Sequence, residues 1–396
     1  MSESALQQSD PKSIVSPKQT GKRLPPLPGE WIDRDRLICF TFEGTSFWGY
    51  AGDTISSALW ASGQRILGRS FKYHRPRGIL SFANHDVNVL MQDGENLNLR
   101  ADITSLQPGM SLTAVNTVEG VRNDRASLLN AFSPFLPVGF YYKAFHQKHL
   151  FPFWERLIRR ISGLGQLVPT TPRIRTAKRY DFCEVLVIGA GVSGLSAALA
   201  AAEAGAAVAI VDENAQAGGS GSYQLGGDFA LAETTHQLVQ QVIHHPRIRL
   251  FTQTVAAGYY ADHWVPLIDR DRMTKMRAKA VIIATGAYEQ PAVFRNNDLP
   301  GVMLASAAQR LIYRYAVKPM HRAIALVANS DGYRAAMDLL TQGIIIQAMV
   351  DLRHDSASNP WMEQLRSQGI PIYRGYCIYE AKSSPAKDGV CSAVIC

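Results

Sequence analysis

The hydrophobic pattern changes along the chain, and each change predicts a different kind of element. Near the start, two short apolar and aromatic runs, residues 37–42 and 45–50, predict strands joined by a Glu-Gly turn. An Asp-Thr pair then offers N-cap side chains to the helical run at residues 55–62, and a glycine ends that run. This order of strand, strand, helix and further extended segments predicts a β-grasp domain over residues 31–105.

From residue 180 onward, apolar strands and helical runs alternate, which is typical of a parallel sheet covered by helices on both faces. A second unit of the same kind is predicted at about 318–396, where the chain stops before the unit is complete. Residues 106–179 are irregular and are interpreted as a connector, and the polar residues 1–30 predict a disordered tail. The predicted fold class is α/β: a Rossmann-type two-dinucleotide-binding-domain fold with an incomplete second unit, preceded by a β-grasp ferredoxin-like domain.

Composition and charge disfavour several classes of protein. Hydrophobic residues make up 46% and charged residues 19% of 396 residues, as in a globular chain long enough for two or three domains. The net charge of +8 is spread along the sequence without a nucleic-acid-binding motif, so we expect no nucleic-acid partner. The uncharged run 185–202 has the length of a membrane span, but glycines interrupt it, so we expect no membrane association. Cysteines without a CxxC pair and an N-terminus without an apolar leader predict a cytoplasmic location.

The segment VLVIGAGVSGLSAALAAAEAGAAVAIVDE, residues 185–213, contains each part of a dinucleotide site in order. Gly189 makes the tight turn after the strand, Gly191 lets the backbone approach a pyrophosphate, and Gly194 lets the helix pack on the strand. The first amides of the helix would then face the phosphates. Asp212 ends the second strand, where a carboxylate binds the adenosine ribose and repels the 2′-phosphate of NADP. The segment predicts NAD or FAD, and the acid does not separate the two.

Two further segments support this site, and one later segment imitates it. Gly218 and Gly219 follow the acid closely, and VIIATGA places Thr285 and Gly286 at a strand end where backbone can close over a nucleotide. The second unit carries NSDG where three glycines are expected, although its strand still ends in Asp351, and we interpret this unit as structural. Since no nucleophile, acid–base pair or metal cluster stands out, we predict neither a catalytic residue nor a metal site in this chain.

Several segments resemble the α subunit of heterotetrameric sarcosine oxidase: GRSFKYHRPRG (68–78), LPVGFYYKAF, the GAGVSG fingerprint, and DLPGVMLASAAQRLIYRY. The resemblance runs from about residue 37 to the end, and it implies a ferredoxin-like β-grasp domain, an NAD-binding domain and then a folate-binding domain. It implies FMN and FAD on the partner β subunit or at its interface with α, in a complex that also contains small subunits. By analogy, the residues around NAD are Ser193, Asp212, Glu213, Asn214, Ser220 and Val255.

The sequence departs from related proteins in two places. Related amine, proline and opine dehydrogenases carry a [2Fe-2S] cluster on cysteines that follow the RPRG segment. Here Ser81, Asp86 and Val89 occupy those positions, so we predict no iron–sulfur cluster. The chain also stops at Cys396, in what is predicted to be a strand of the second unit, so we expect either a natural truncation or a part of a longer subunit.

Three hypotheses of function follow. The leading one is an NAD-binding subunit, or its N-terminal portion, of a complex that oxidises sarcosine to glycine, formaldehyde and hydrogen peroxide, with catalysis on the partner subunit. The second is the FAD-binding subunit of another secondary-amine, proline or opine dehydrogenase. The third is a truncated, non-catalytic remnant that binds a partner, or nothing.

Overall fold

The computed structural model describes residues 23–86, 89–94, 96–115, 117–135, 147–162, 176–355, 357–384 and 389–396. Within these ranges, none of the helices combines the length and the apolar character that crossing a bilayer would need. The uncharged run that has the length of a membrane span is instead the end of a strand, a turn and a helix, Val192–Glu203.

The first domain is a five-stranded mixed sheet with one helix packed on it. In sheet order β2-β1-β7-β5-β6, its strands are β1 (Asp33–Phe42), β2 (Thr45–Ala51), β5 (Leu90–Asp93), β6 (Asn96–Arg100) and β7 (Ser111–Ala114). Helix α1 (Ile55–Ala61) begins at Thr54, whose side chain accepts from the Ser57 N–H, and all seven of its residues are buried. Two short strands, β3 (Gly68–Arg69) and β4 (Pro76–Arg77), pair beside this sheet.

Two predicted boundaries of this domain are wrong. Strand β7 pairs in parallel with β1, so the sheet continues past residue 105 into the segment interpreted as a connector. At the other end, residues 23–30 are part of the fold: Leu24 is buried, and Arg23 forms an ion pair of 2.6 Å with the buried Asp53. Both segments join the domain through distant contacts, which the local polarity of the sequence does not reveal. Residues 1–22 of the predicted tail lie outside the described residues.

Between the first domain and the next sheet, the structure describes a 3-10 helix, Arg125–Phe135, and helix α2 (Phe151–Ser162). The second sheet has six strands in the order β10-β9-β8-β13-β12-β11. They are β8 (Lys178–Ile188), β9 (Val208–Val211), β10 (Ile248–Phe251), β11 (Val255–Ala256), β12 (Trp264–Ile268) and β13 (Met273–Ile283). Strands β10, β9, β8 and β13 are parallel to one another. Strand β12 pairs antiparallel with β13, and β11 pairs antiparallel with β12. Helices α3 (Val192–Glu203) and α4 (Phe229–His244) cover it.

The second unit is a three-stranded parallel sheet, β14 (Arg322–Val327), β15 (Ile345–Asp351) and β16 (Ile372–Arg374). Helix α5 (Ala305–Tyr315) precedes it, and helices α6 (Ser330–Thr341) and α7 (Pro360–Ser367) connect its strands. The last strands, β17 (Ile378–Ser383) and β18 (Val390–Ile395), form a separate antiparallel pair. The prediction that the chain stops within a strand of the second unit is therefore wrong, because these residues pair with each other and not with β14 to β16.

The first domain and the second unit share one hydrophobic core, into which α1, α5 and α6 all place buried side chains. Trp60 of α1 is buried in this core and donates its indole N–H to the Pro319 carbonyl at 3.0 Å. At the edge of the core, Arg75 and Arg77 both bind the Asp298 carboxylate, and these charge-assisted bonds hold that carboxyl's pKa below its ordinary value against the opposing effect of burial. The six-stranded sheet has two hydrophobic core clusters of its own. A cleft lies where this sheet, the first domain and the second unit meet.

Candidate dinucleotide-binding site

The turn between β8 and α3 contains three glycines, and two of them are required by packing. Gly189 has φ of +105°, and a Cβ added there would lie 2.3 Å from the Ala284 carbonyl oxygen. A Cβ on Gly194 would lie 1.9 Å from the Gly189 carbonyl oxygen. Neither position accepts a side chain without movement of backbone, so these glycines fix the turn and the seating of the helix on the strand.

The middle glycine has no such packing role. Gly191 is in ordinary extended backbone with φ of −76°, and an added Cβ would meet nothing closer than the Gly219 Cα at 3.8 Å. It is also the N-cap of α3, where no side chain caps the helix and no acid lies in the first turn. The helix start therefore offers amides and the positive end of its dipole to a ligand anion.

Gly218 and Gly219 form a second turn that lies directly against the first. The Gly218 N–H donates to the Ala190 carbonyl at 2.8 Å, and a Cβ on Gly219 would approach the Gly191 Cα to 2.6 Å. Both glycines have positive φ, +119° and +56°. This close contact of backbone with backbone, together with the positive φ values, explains the glycine pair.

Asp212 follows β9 and is held by three hydrogen bonds. Its Oδ2 accepts from the Ala190 N–H at 2.7 Å, and its Oδ1 accepts from the N–H and the Nδ2 of Asn214 at 2.8 and 2.9 Å. The carboxylate is thereby fixed beside the glycine turn, where the sugar next to a bound diphosphate would lie. The neighbouring Glu213 is exposed to the cleft.

The cleft has a volume of about 2050 Å³ and brings together most of the predicted site residues. Those that line it are Gly189, Gly191, Ser193, Asp212, Glu213, Asn214, Gly219, Ser220, Thr285 and Gly286. Three predicted residues are not among the lining. Gly194 and Gly218 are buried beneath the turns, and Val255 lies in β11, where its neighbour Thr254 donates its N–H to the Asp212 carbonyl at 3.0 Å.

The cleft also contains residues that sequence reasoning missed, namely Asn84, Tyr223, Arg310 and Arg314. Asn84 belongs to the first domain, and its Nδ2 donates to the Glu213 Oε1 at 2.9 Å. Arg310 of α5 donates to the Tyr223 hydroxyl at 2.7 Å. Arg310 and Arg314 lie in the DLPGVMLASAAQRLIYRY segment, but the four residues are separated by up to 230 positions in sequence. No local signal could therefore have grouped them with the glycine turn.

The corresponding turn of the second unit is occupied by its own side chains. Asn329 caps α6 by accepting from the N–H groups of Asp331 and Gly332 at 3.1 and 3.4 Å. Asp351 is fully buried and binds the Tyr333 hydroxyl at 2.8 Å and the Arg353 guanidinium at 2.9 Å. Burial opposes ionisation, but these donors lower the pKa of Asp351 to about 2. The amides and the acid that correspond to the start of α3 and to Asp212 in the first unit are here used internally.

Across the described ranges, no three His, Cys, Asp or Glu side chains are grouped so that they could hold a metal ion. His74, one of the buried polar residues, lies 2.7 Å from Asp124 through Nδ1 and is close to Arg69. This pair ties the segment 68–78 to the end of the first domain and does not line the cleft.

Comparison with known proteins identifies two families in this chain. Residues 35–117 match the family described as a 2Fe-2S iron–sulfur cluster binding domain. Residues 184–290 match the family described as FAD dependent oxidoreductase, and this range contains the glycine turn, Asp212 and the VIIATGA segment.

The chain is also similar to curated relatives over most of its length. It is 36% identical over 347 residues to the sarcosine oxidase subunit alpha of Rhizobium meliloti (strain 1021). This alignment covers 81% of this chain and 35% of the relative. It is 29% identical over 398 residues to the subunit alpha of Corynebacterium sp. (strain P-1), with 96% of this chain and 37% of the relative covered. The resemblance predicted from the sequence is confirmed, and this chain spans about a third of the length of these relatives.

Among solved structures, the L-proline dehydrogenase from P. horikoshii superposes with a TM-score of 0.57 at 20% sequence identity. The match covers 84% of this chain and 57% of that chain. At this identity the likeness concerns the fold alone. It confirms the predicted α/β class with a ferredoxin-like domain in front.

The family match corrects one prediction. We expected a cofactor set without an iron–sulfur cluster, because Ser81, Asp86 and Val89 stand at positions where related dehydrogenases carry cysteine. The family match contradicts that prediction, because residues 35–117 match a 2Fe-2S iron–sulfur cluster binding domain.

Two of the three side chains at these positions, Ser81 and Asp86, bind each other. The Asp86 carboxylate accepts from the Ser81 N–H and hydroxyl, both at 2.8 Å, and from the Phe82 N–H at 2.9 Å. Val89 is buried, and the one cysteine in the sequence from 35 to 117 is the exposed Cys39. Because such clusters are held by cysteine thiolates or, in part, by histidine, these residues do not fit the usual ligand set.

Proposed function

We propose that this homologue of sarcosine oxidase α subunits binds an adenine dinucleotide, with NAD as the leading candidate, in the cleft beside the glycine turn. In this proposal the chain is the nucleotide-binding part of an amine-oxidising complex. The complex converts sarcosine to glycine, formaldehyde and hydrogen peroxide, and the flavins and the amine-oxidising site belong to a partner β subunit.

One observation carries the proposal: the three glycines of the turn differ in what confines them. Gly189 and Gly194 are confined by neighbouring protein atoms, whereas a Cβ on Gly191 would meet only the Gly219 Cα, at an ordinary contact distance of 3.8 Å, and Gly191 lines the cleft. A glycine that the fold itself does not require points to a ligand that needs close backbone approach. The uncapped start of α3 beside it has the polarity that a diphosphate requires.

Each part of the site has a defined role toward the nucleotide. Amides at the start of α3 would bind the diphosphate, Asp212 would accept from the adenosine ribose, and residues 285–286 would cover the nucleotide from the end of β13. The carboxylates at the ribose end disfavour a 2′-phosphate and hence NADP. When bound, the dinucleotide supplies redox chemistry, and this chain supplies its binding and orientation.

The test is a Gly191→Ala variant, measured by calorimetric titration with NAD and with FAD. The added methyl group fits the fold but fills the space that the diphosphate would take, so we expect affinity to fall at least tenfold with an unchanged melting temperature. Ser196→Ala, an exposed position on the same helix, is the matched control and should bind as the wild type does. Equal binding by Gly191→Ala and wild type would contradict the proposal.

The second candidate function is that of an FAD-binding subunit of another secondary-amine, proline or opine dehydrogenase. The observation that favours it is the match of residues 184–290 to a family of FAD-dependent oxidoreductases. Denaturing the purified protein and recording the absorbance of the released cofactor separates the candidates, because a flavin absorbs at ~450 nm and NAD does not. A yellow supernatant would favour the FAD-binding candidate.

Co-purification with the products of neighbouring reading frames tests the role in a complex. We expect a flavin-bearing partner to be retained together with this chain. A chain that binds neither nucleotide nor a flavoprotein would instead be the non-catalytic remnant.

A further inference from the structure

Asp212 alone does not offer enough hydrogen-bond acceptors for the two hydroxyls of a ribose. A carboxylate has about four acceptor positions, and the two on Oδ1 are taken by Asn214, while Ala190 takes one on Oδ2. One position remains, whereas a ribose with free 2′ and 3′ hydroxyls brings two donors. The second acceptor must come from a neighbouring residue, and the exposed Glu213 carboxylate is adjacent in the sequence and in the cleft.

Glu213 is held in place by a residue of the first domain. Asn84 donates from Nδ2 to the Glu213 Oε1 at 2.9 Å, and the same Nδ2 lies 3.5 Å from the Asn214 Oδ1. Asn84 has φ of +63°, a conformation that asparagine tolerates better than most residues. Its loop is tied by the Asp86 carboxylate, and Arg100 binds the Asn84 carbonyl. The donor is therefore fixed by its own domain before any ligand binds.

A buried cation, Arg314, lies next to Asn214. Arg314 of α5 is 6% exposed, and its Nη1 donates to the Asn214 Oδ1 at 3.2 Å. Its guanidinium carbon lies 4.1 Å from the ring centre of Trp31 and 4.9 Å from that of Tyr223. Within the described part of the chain, no carboxylate lies within 4.0 Å of this guanidinium, and its Nε has no hydrogen-bond partner.

This arrangement orients the ribose-binding carboxylates. By donating to the Asn214 Oδ1, Arg314 sets the orientation of the amide so that its Nδ2 faces Asp212. Burial lowers the pKa of Arg314 to about 10, so the guanidinium remains charged at neutral pH. Asp212 acts on the pKa of Arg314 in the opposite direction to burial, because its negative charge stabilises the guanidinium cation.

We propose that Asn84 and Arg314 are positioning residues that complete the adenosine-ribose subsite through Glu213 and Asn214, so that the nucleotide is bound jointly by the first domain and the nucleotide-binding sheet. This inference rests on the proposed dinucleotide binding. It adds that the ferredoxin-like domain takes part in nucleotide recognition.

The experiment is a thermodynamic cycle with Asn84→Gly, using ADP and its 2′,3′-dideoxy analogue as ligands. Glycine keeps the positive φ and removes only the side chain. We expect ADP to bind about tenfold more weakly to Asn84→Gly than to wild type, which corresponds to about 1.4 kcal/mol. The dideoxy analogue should bind both proteins equally, because it lacks the hydroxyls that Glu213 accepts from. A purely structural role of Asn84 would weaken both ligands by the same factor.

Asn98→Gly is the matched control, since Asn98 is an exposed asparagine of the first domain that also has positive φ, +57°, and does not line the cleft. It should leave ADP affinity unchanged. Arg314→Met should also weaken ADP selectively over the dideoxy analogue, provided that its melting curve shows a folded protein.

Three results would overturn the inference. Equal ADP affinity of Asn84→Gly and wild type, or an equal loss for both ligands, would refute the role of Asn84 while leaving dinucleotide binding intact. A wild type that binds ADP, NAD and FAD not at all would refute the proposed function itself, and the inference with it.

Discussion

The two strand–turn–helix–strand units of this chain share a pattern but differ in where their polar groups are directed. In the first unit, the start of α3 has no side-chain cap, and Asp212 keeps an acceptor position directed to the cleft. In the second unit, Asn329 caps α6, and Asp351 is surrounded by Tyr333 and Arg353. A unit that satisfies its own backbone amides and acid has none left for a ligand, so the same topology leaves amides and an acid free at the cleft in one unit and uses them for packing in the other.

The largest expected effect comes from the glycine that each unit uses to seat its helix. A Cβ on Gly194 would lie 1.9 Å from a backbone oxygen, and a Cβ on Gly332 would lie 2.3 Å from the Val327 Cγ1. We expect Gly194→Ala to cost about 3 kcal/mol or more, because backbone must move, and Gly332→Ala about 1–2 kcal/mol, because a valine side chain can adjust. Urea unfolding of both variants measures this. Equal losses would mean that the two helices are seated alike.

The second effect concerns the two acids. Asp351→Asn should lower the free energy of unfolding by about 2 kcal/mol at pH 7, since a pKa lowered from 3.8 to about 2 in the folded state corresponds to that amount. In the wild type this contribution is present above pH ~4 and is lost as the pH falls toward 2, so the two proteins should converge in acid. Asp355→Asn, an exposed position in the same loop, is the control. If Asp351→Asn instead kept the stability of the wild type and bound NAD more weakly, the second unit would not have a purely structural role.

The smallest effect tests the cap. Asn329→Ala should cost about 1 kcal/mol, the usual value of an N-cap side chain, and should leave dinucleotide affinity unchanged although Asn329 borders the cleft. Asn359→Ala removes the corresponding cap of α7, away from the cleft, and should have a similar cost. Thermal unfolding and nucleotide titration of the two variants provide the comparison. A change in affinity confined to Asn329→Ala would show that the second unit contacts the ligand.

Much of the first unit could be predicted from the sequence because its determinants are local. Helix α3 begins at Val192, within the predicted glycine turn, and Asp212 directly follows β9. Glycine spacing, strand length and helix start all act over a few residues, so they are legible without the fold. The end of the first domain was mispredicted because β7 belongs there only through pairing with β1, some 70 positions earlier.

By itself, the sequence determined the order of the elements, the glycine turn and the acid that follows β9. Only the tertiary structure decided which glycine is left open to a ligand, which acid is consumed by internal partners, and that Asn84 and Arg314 meet at Asn214. The physical reason is range: backbone geometry is encoded by neighbours along the chain, whereas exposure and hydrogen-bond partners depend on surfaces that folding brings together from distant segments.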